Sequence, residues 1–294
     1  MLWMNVAVRV FVNPLSNVFQ KRLTGKGVSP LVIVAITHGL LTVACLPLLL
    51  IDPPPGSSDF WLNITVSTAL AVAGNVLLVQ AMQMSDLSIL GPVNSYKAVV
   101  SLIPGMVLLH EVPSASALLG VALIVAGGYV IADRDGTKPG QNALIRFFTD
   151  RGVQFRLAAL VLTAVEAVFL KRALIASSPV ATFAVWSVLC LVVVAPLALV
   201  FGNVNEGVRT AWASKRNCLM LGATTGLMQF STLIVFSGFQ VAAALALFQT
   251  STLVSVVLGW HVFREKNVAQ RLLGSIIMVI GAILIVATRT ESVR

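Results

Sequence analysis

The sequence predicts an all-α integral membrane protein with ten transmembrane helices in two inverted five-helix repeats. Three observations predict this class: an apolar composition, ten apolar runs of membrane-spanning length, and an internal repeat. The 294 residues are 57% hydrophobic and 11% charged, whereas soluble domains carry about 25% charged residues. Because so few charged residues cannot cover a large apolar core, the composition excludes a cytosolic globular enzyme.

The basic character of the chain also fits a membrane protein. The 20 Lys and Arg residues exceed the 11 Asp and Glu residues, giving a formal net charge of +9. These cations form short clusters between apolar runs, which is typical of membrane-protein loops, so we expect no nucleic-acid partner. Cys45, Cys190 and Cys218 stand singly in or beside apolar runs, without metal or redox spacing. We therefore expect no disulfide scaffold and no cofactor.

Ten runs are long enough to cross the bilayer, because a transmembrane helix needs about 20 predominantly apolar residues. Two connections, 133–156 and 202–217, are longer than the others, polar and basic. Almost no chain remains for an extramembrane domain, so we expect the function to depend on side chains within the bilayer or at its faces. The predicted spans lie near residues 2–20, 30–51, 62–82, 88–109, 114–132, 157–176, 180–201, 218–238, 241–263 and 269–288.

The second half of the chain repeats the first. Matches of Gly and of charged residues are the informative ones, because Leu and Val match by chance between any two apolar segments. A shift of 150 residues aligns Lys21-Arg22 with Lys171-Arg172. A shift of 154 residues aligns Glu111 with Glu265, Ser101 with Ser255, Gly105 with Gly259, Gly120 with Gly274, Gly127 with Gly281, and Asn75 with Gln229.

The repeat predicts both the domain organisation and the class of function. It divides the chain into a first unit (1–132), a basic polar linker (133–156), a second unit (157–288) and a short polar tail (289–294). Because each unit holds an odd number of spans, the second enters the membrane from the opposite side. Inverted repeats are common in secondary transporters, whose substrate site lies near the midplane between the halves. We therefore expect a secondary transporter that works by alternating access.

Two helix ends resemble a known family. His110-Glu111 precedes the run LLGVALIVAGG, and Arg264-Glu265 precedes LLGSIIMVIGA. These segments are similar to the signature of the drug/metabolite transporter superfamily, EamA type. The resemblance implies ten spans in a 5+5 plan, with a Glu closing the fourth and ninth. It also implies export or exchange of a small metabolite, with amino acids, sugar phosphates, nucleotide-sugars and drugs among the alternatives.

The first predicted span carries a polar stripe. On a helical wheel its polar residues fall within about 120° of arc, which a lipid-facing helix would not show. We expect them to line a wet cavity; the alternative is that they bond neighbouring helices as packing contacts. The stripe consists of Asn5, Arg9, Asn13, Ser16, Asn17 and Gln20.

Lys97 lies near the middle of the fourth predicted span. Asn94, Lys97 and Ser101 share one helical face at the spacing i, i+3, i+7. An unpaired ammonium there would be costly, so we expect Lys97 to bind an anionic group of the substrate. The alternatives are a structural ion pair, or snorkelling of the side chain, which is less favoured because Lys97 is far from both ends of the span.

Glu166 and His38 are the candidates for proton coupling. Glu166 is the acidic residue that lies deep in a span, and the repeat aligns it with Ser16 of the polar stripe. A static pair with Lys97 or Arg9 is the alternative role. His38 lies midway along the second span, where a hydrogen-bonded core histidine is the alternative to a proton relay.

Further uncharged groups complete the predicted site. We expect Asn75, Gln229 and Gln249 to supply hydrogen bonds to the substrate, and Trp186 an aromatic wall. The sequence has no GxSxG, HExxH or phosphate-binding loop motif, so we expect no enzyme. The transporter's predicted partners are thus a small polar anion or zwitterion and the lipid bilayer. A channel for small solutes is the alternative from another class.

Basic residues are distributed unequally between the two faces. The loops after odd-numbered spans carry fourteen Lys and Arg residues, and the opposite face with the tail carries four. The positive-inside rule therefore predicts cytoplasmic odd loops and external termini, whereas many relatives have both termini inside. The orientation stays open between these two predictions. We expect a multi-pass protein of the plasma (inner) membrane, as a monomer or homodimer.

Overall fold

The computed structural model describes residues 1–100, 115–132, 148–239 and 241–291, and over these residues the regular secondary structure is entirely α-helical. The predicted all-α class is thereby confirmed for this part of the chain. The helices are α1 (Leu2–Thr24), α2 (Pro30–Cys45), α3 (Leu48–Ile51), α4 (Ser58–Met84), α5 (Leu87–Val93), α6 (Tyr96–Val100), α7 (Ala115–Ala132), α8 (Arg151–Ile175), α9 (Pro179–Phe201), α10 (Val204–Ala213), α11 (Lys215–Gly238), α12 (Val241–Gln249), α13 (Ser251–Phe263) and α14 (Val268–Glu291).

The helix lengths and hydropathies match a multi-pass membrane protein. Six segments of the described chain are long and apolar enough to cross a bilayer, and α2 and α7 contain shorter apolar segments. The helix α1 is not among the six because its polar stripe lowers its mean hydropathy. The six are α4, α8, α9, α11, the segment Ala243–Phe263 of α12 and α13, and Val268–Ile285 of α14.

Helices from the two halves pack in pairs related by the repeat. The repeat relates α1 to α8 and α4 to α11, and the extensive interfaces include α1 with α11 and α4 with α8. Exchanging the two repeats converts one of these interfaces into the other. The interfaces of α2 with α9 and of α7 with α14 each join two repeat mates, and the interface of α5 with α13 joins the two broken helices. This is the pattern that a two-fold relationship between the halves requires.

Four glycines bring α7 and α14 into close contact. A Cβ atom on Gly120 would lie 2.6 Å from the carbonyl oxygen of Gly281, and one on Gly127 would lie 2.6 Å from that of Gly274. The repeat aligns Gly120 with Gly274 and Gly127 with Gly281, so the two contacts are symmetry mates. Small residues at such crossings let the backbones of membrane helices approach closely.

Both halves contain a helix that breaks at corresponding positions. The break between α5 and α6 falls at Asn94 and Ser95, after Pro92, which supplies no backbone N–H. The break between α12 and α13 falls at Thr250, and the repeat shift of 154 aligns Ser95 with the adjacent Gln249. Around it the hydroxyls of Thr250, Ser251 and Thr252 bond backbone carbonyls three residues earlier, an alternative to regular helix bonding.

The structure corrects three of the predicted boundaries. The fourth span, predicted as continuous over 88–109, is interrupted at residues 94–95, and its remainder falls on 101–114, outside the described residues. The helix α8 begins at Arg151, before the predicted residue 157, because Asp150 caps it by accepting the N–H of Val153. The predicted polar loop 202–217 contains the short amphipathic helix α10.

Glu265 joins the halves at one end of the bundle. Its carboxylate accepts the backbone N–H groups of Leu87 and Ser88, each at 2.9 Å, at the start of α5. Lys21 of α1 lies 3.0 Å and Arg271 of α14 lies 3.3 Å from the same carboxylate. A helix start leaves N–H groups without intrahelical partners, so this contact satisfies two of them.

Candidate functional site

A polar cavity of about 130 Å³ lies between helices of both halves. It extends beside the two helix breaks, and α1, α4, α6, α8, α9, α11 and α12 form its walls. Helix breaks at matching positions of two repeats are typical of substrate sites in secondary transporters. Nine predicted site residues line the cavity: Arg9, Asn13, Asn75, Asn94, Lys97, Glu166, Trp186, Gln229 and Gln249.

The polar stripe of α1 forms one wall. Asn13, Ser16, Asn17 and Gln20 all line the cavity. Ser16 and Thr225 of α11 share a hydrogen bond of 2.8 Å between their hydroxyl oxygens. Five of the six stripe residues line the cavity, whereas Asn5 does not, and Ser16 also bonds a neighbouring helix.

Arg9 reaches across to the second half. Its Nε donates a 2.8 Å hydrogen bond to Thr232 Oγ1, and its guanidinium carbon lies 4.8 Å from the centre of the Phe248 ring. The ring face stabilises the cation electrostatically. The Nη1 atom of Arg9 is buried and has no hydrogen-bond partner among the described residues, so the guanidinium keeps donor capacity.

Lys97 and Glu166 both line the cavity without forming an ion pair. Lys97 Nζ donates to Thr163 Oγ1 at 3.3 Å, and Glu166 Oε1 accepts from Ser67 Oγ at 3.3 Å. Among the described residues, no Lys, Arg or His nitrogen lies within 4.0 Å of the Glu166 carboxylate. A direct static pair between Lys97 and Glu166 is therefore not formed in this conformation.

Arg156 is a cavity residue that the sequence analysis missed. It was assigned to the polar linker, but it lies in the first turns of α8 and is 9% exposed. Its Nε donates to the carbonyl of Leu90 and its Nη2 to Asn94 Oδ1, each at 3.2 Å. The cap residue Asp150 was the signal that could have revealed this helix start. Thr163, Thr225 and Thr232 were also missed, since threonine is common in apolar spans.

Asn94 and Gln249 connect the two helix breaks. Asn94 Nδ2 donates to Gln249 Oε1 at 3.2 Å, while Gln249 Nε2 donates to the carbonyl of Leu245 at 3.1 Å. Because Arg156 donates to its oxygen, the Asn94 amide bonds residues of two helices of the second half, α8 and α12. The predicted helical face from Asn94 to Lys97 is interrupted by a turn, yet both side chains line the cavity.

One predicted site residue of the described chain, His38, does not line the cavity. His38 is buried against Trp186, with ring centroids 5.0 Å apart at an interplanar angle of 68°, and it lies behind the tryptophan that lines the cavity. The repeat places His38 and Trp186 on packed helices, but sequence alone could not show which ring faces inward. Ser101 lies outside the described residues.

The lining is predominantly cationic. Arg9, Lys97 and Arg156 are its basic residues, and Glu166 is its acidic residue. Among the described residues, no group of three His, Cys, Asp or Glu side chains has a spacing that could hold a metal ion. The chemistry that this lining offers is hydrogen bonding and electrostatic binding of a small anionic solute.

Comparison with known proteins agrees with the fold. A family model described as the EamA-like transporter family matches residues 7–132 and 150–287. No curated protein matches the chain. Of 28 matching chains of solved structures, one titled only "Crystal structure of protein" is 14% identical with a TM-score of 0.62, and the match covers 95% of this chain and 96% of that one. At that identity the match shows the fold alone, whereas the family model spans both repeats. The chain belongs to the EamA-like transporter family.

Proposed function

We propose that this membrane transporter of the drug/metabolite transporter superfamily is a secondary transporter that exports or exchanges a small polar metabolite by alternating access. The main support for this proposal is the polar cavity at the junction of the two repeats, beside the paired helix breaks. Because the helix interfaces follow the repeat, rocking one half against the other would expose such a site to each face in turn.

In this proposal Lys97 and Glu166 have different roles. Lys97 has a hydroxyl but no carboxylate within bonding distance among the described residues, so its ammonium is available to an anionic group of the substrate. Glu166 lines the same cavity and carries the coupling proton. An ionisable side chain at this depth is costly unless it serves binding or coupling.

The cavity size favours a small substrate within the range of the superfamily. A dry cavity of about 150 Å³ accommodates benzene, so an opening of about 130 Å³ matches a compact metabolite better than a nucleotide-sugar. The asymmetric lining also favours a transporter over a channel, because channel filters are usually built from symmetric rings of ligands.

Thermal-shift screening against a metabolite panel tests the binding role of Lys97. A ligand that binds only the folded protein raises its Tm, and we expect the stabilising ligand to lose this effect in Lys97→Ala. The matched control is Lys215→Ala, which removes an exposed lysine at the start of α11 and should respond like the wild type. Equal stabilisation of folded Lys97→Ala by that ligand would contradict the proposed role.

A further inference from the structure

We propose that the cavity binds a compact organic anion carrying two negative charges, such as a dicarboxylate or a phosphate monoester; this rests on the proposed transport function and names its substrate class. The proposal follows from the charges of the lining, the absence of ion pairs around them and the cavity size. Three helices contribute the cations. Arg9 on α1 and Lys97 on α6 belong to the first half, and Arg156 on α8 belongs to the second.

The charges of the lining do not balance. Three cations face one carboxylate, Glu166, and every other lining residue is uncharged. The ion pairs of the described chain involve Lys21, Arg271, Asp86 and Glu265, away from the cavity. With Glu166 ionised, the lining carries two excess positive charges.

Uncompensated cations are costly inside a membrane protein unless an anion completes the site. Arg156 is 9% exposed and Lys97 is 9% exposed, so water screens neither well. Their present partners are neutral: a carbonyl and an amide oxygen for Arg156, and a hydroxyl for Lys97. An occupant with one negative charge would leave one cation in excess, whereas a dianion balances the lining.

Unsatisfied donors point the same way. Three buried polar atoms on lining residues have no partner among the described residues: Arg9 Nη1, Trp186 Nε1 and Gln20 Oε1. Two of the three are N–H donors, which match the acceptor oxygens of carboxylate and phosphate groups. Arginine is also suited to these groups because its guanidinium forms two parallel hydrogen bonds.

Arg156 and Lys97 reach the cavity at two levels of α8. Arg156 and Thr163, the partner of Lys97, are seven residues apart on α8, which is about 10 Å along the helix axis. A solute in the cavity would therefore meet Arg156 and Lys97 at two levels along α8. A compact molecule with two anionic groups fits such an arrangement, while the cavity of about 130 Å³ is small for a nucleotide.

Binding to the purified full-length protein in nanodiscs tests the charge requirement. Succinate is compared with its singly charged analogue succinamate, and glycerol 3-phosphate with the singly charged dimethyl phosphate. The measurements are made at about pH 8, where a phosphate monoester is doubly ionised. We expect at least one dianion to bind about tenfold or more tightly than its analogue, since each charge-assisted hydrogen bond is worth that factor. Whichever dianion binds identifies the carboxylate or the phosphate class.

Variants of Arg156 show whether the preference arises in the cavity. Arg156→Gln should remove most of the preference for two charges, and Arg156→Lys, which keeps the charge, should retain it. Arg172→Gln removes an exposed cation at the other end of α8 and should bind like the wild type. If Arg156→Gln fails to fold, the comparison of the wild type with Arg156→Lys and the probe pairs still decides the charge requirement.

Equal affinities within both probe pairs, or binding of neither dianion, would overturn the proposal. Binding of a singly charged or zwitterionic probe that is lost in Lys97→Ala would refute the two-charge requirement and leave the substrate site intact. Binding that is unchanged in both Lys97→Ala and Arg156→Gln would refute the substrate site as well.

Discussion

Glu166 is the acidic side chain of the cavity, and its surroundings define what it can do. It accepts one hydrogen bond from Ser67, at 3.3 Å, and no basic nitrogen of the described chain lies within 4.0 Å. A carboxyl group held in a cavity without a direct cation partner can exchange its proton with water or with a substrate. This arrangement underlies its proposed coupling role.

The first prediction concerns Glu166→Gln, which keeps the shape and the hydrogen-bonding oxygen but cannot carry the proton. Uptake driven by a pH gradient in proteoliposomes should fall about tenfold or more, whereas substrate exchange should stay within about twofold of the wild type, because exchange moves no net proton. Glu206→Gln, at an exposed position of α10, is the matched control and should change neither rate.

The competing structural role of Glu166 gives different results. If Glu166 and Lys97 stabilise each other, each single neutral variant should lower the free energy of unfolding and the double variant should recover it. That recovery, together with normal driven uptake in folded Glu166→Gln, would contradict the coupling role. Denaturant unfolding in detergent micelles measures the first quantity and proteoliposome flux the second.

Sequence identified the cavity residues that stand out against apolar surroundings. Arg9, Lys97 and Glu166 could be recognised because charged residues within spans are rare. Arg156 could not, since it follows a run of polar linker residues and its burial depends on where α8 begins. The inward position of Trp186 relative to His38 depends on side-chain packing, which a one-dimensional pattern does not contain.

At the level of the helices, the Glu265 carboxylate has several partners from both repeats among the described residues. It accepts two backbone N–H groups and the hydroxyl of Ser88, and it pairs with Lys21 and Arg271. The side chains of Glu265 and Arg271 are 5% and 6% exposed. Breaking one partner of a buried, hydrogen-bonded pair is costly because the other charge stays uncompensated.

We therefore predict that Glu265→Gln lowers the free energy of unfolding by about 3 kcal/mol. The loss should exceed that of Glu206→Gln, whose carboxylate is exposed and outside this network, where a change within about 0.5 kcal/mol is expected. Denaturant unfolding in detergent micelles measures both values. A loss for Glu265→Gln no larger than for the control would show that the network contributes little to the fold.

The sequence predicted the membrane-spanning helices but not the breaks within them. The apolar runs predicted the spans, because their length follows from bilayer thickness. The interruption at residues 94–95 was not predicted, although Gly91-Pro92 precedes it, because proline kinks are also tolerated in continuous membrane helices. At the break, the Thr250 hydroxyl donates to a backbone carbonyl. Which acceptor a hydroxyl bonds depends on the packing around it, and the sequence pattern does not contain that information.

For the whole molecule, the internal repeat was the observation that predicted the architecture. Matches such as Gly120 with Gly274 and Gly127 with Gly281 appeared in the sequence, and the structure shows these glycines in two symmetry-related contacts of α7 with α14. The pairing of α1 with α11 and of α4 with α8 follows the same two-fold rule. The repeat predicts which helices of the two halves correspond to each other. It does not predict which helices pack together, and this became evident only in the three-dimensional structure.

In the proposed function, the cavity between the repeats is the substrate site of a secondary transporter. The most direct measurement is flux of the ligand found by thermal shift into proteoliposomes containing the wild type, the double variant Lys97→Ala/Arg156→Gln, or the control Lys215→Ala. We predict saturable uptake that is accelerated by unlabelled substrate on the opposite side, equal in the control and reduced at least about tenfold in the folded double variant. Non-saturable, ohmic flux, or equal uptake by the double variant, would contradict the claim.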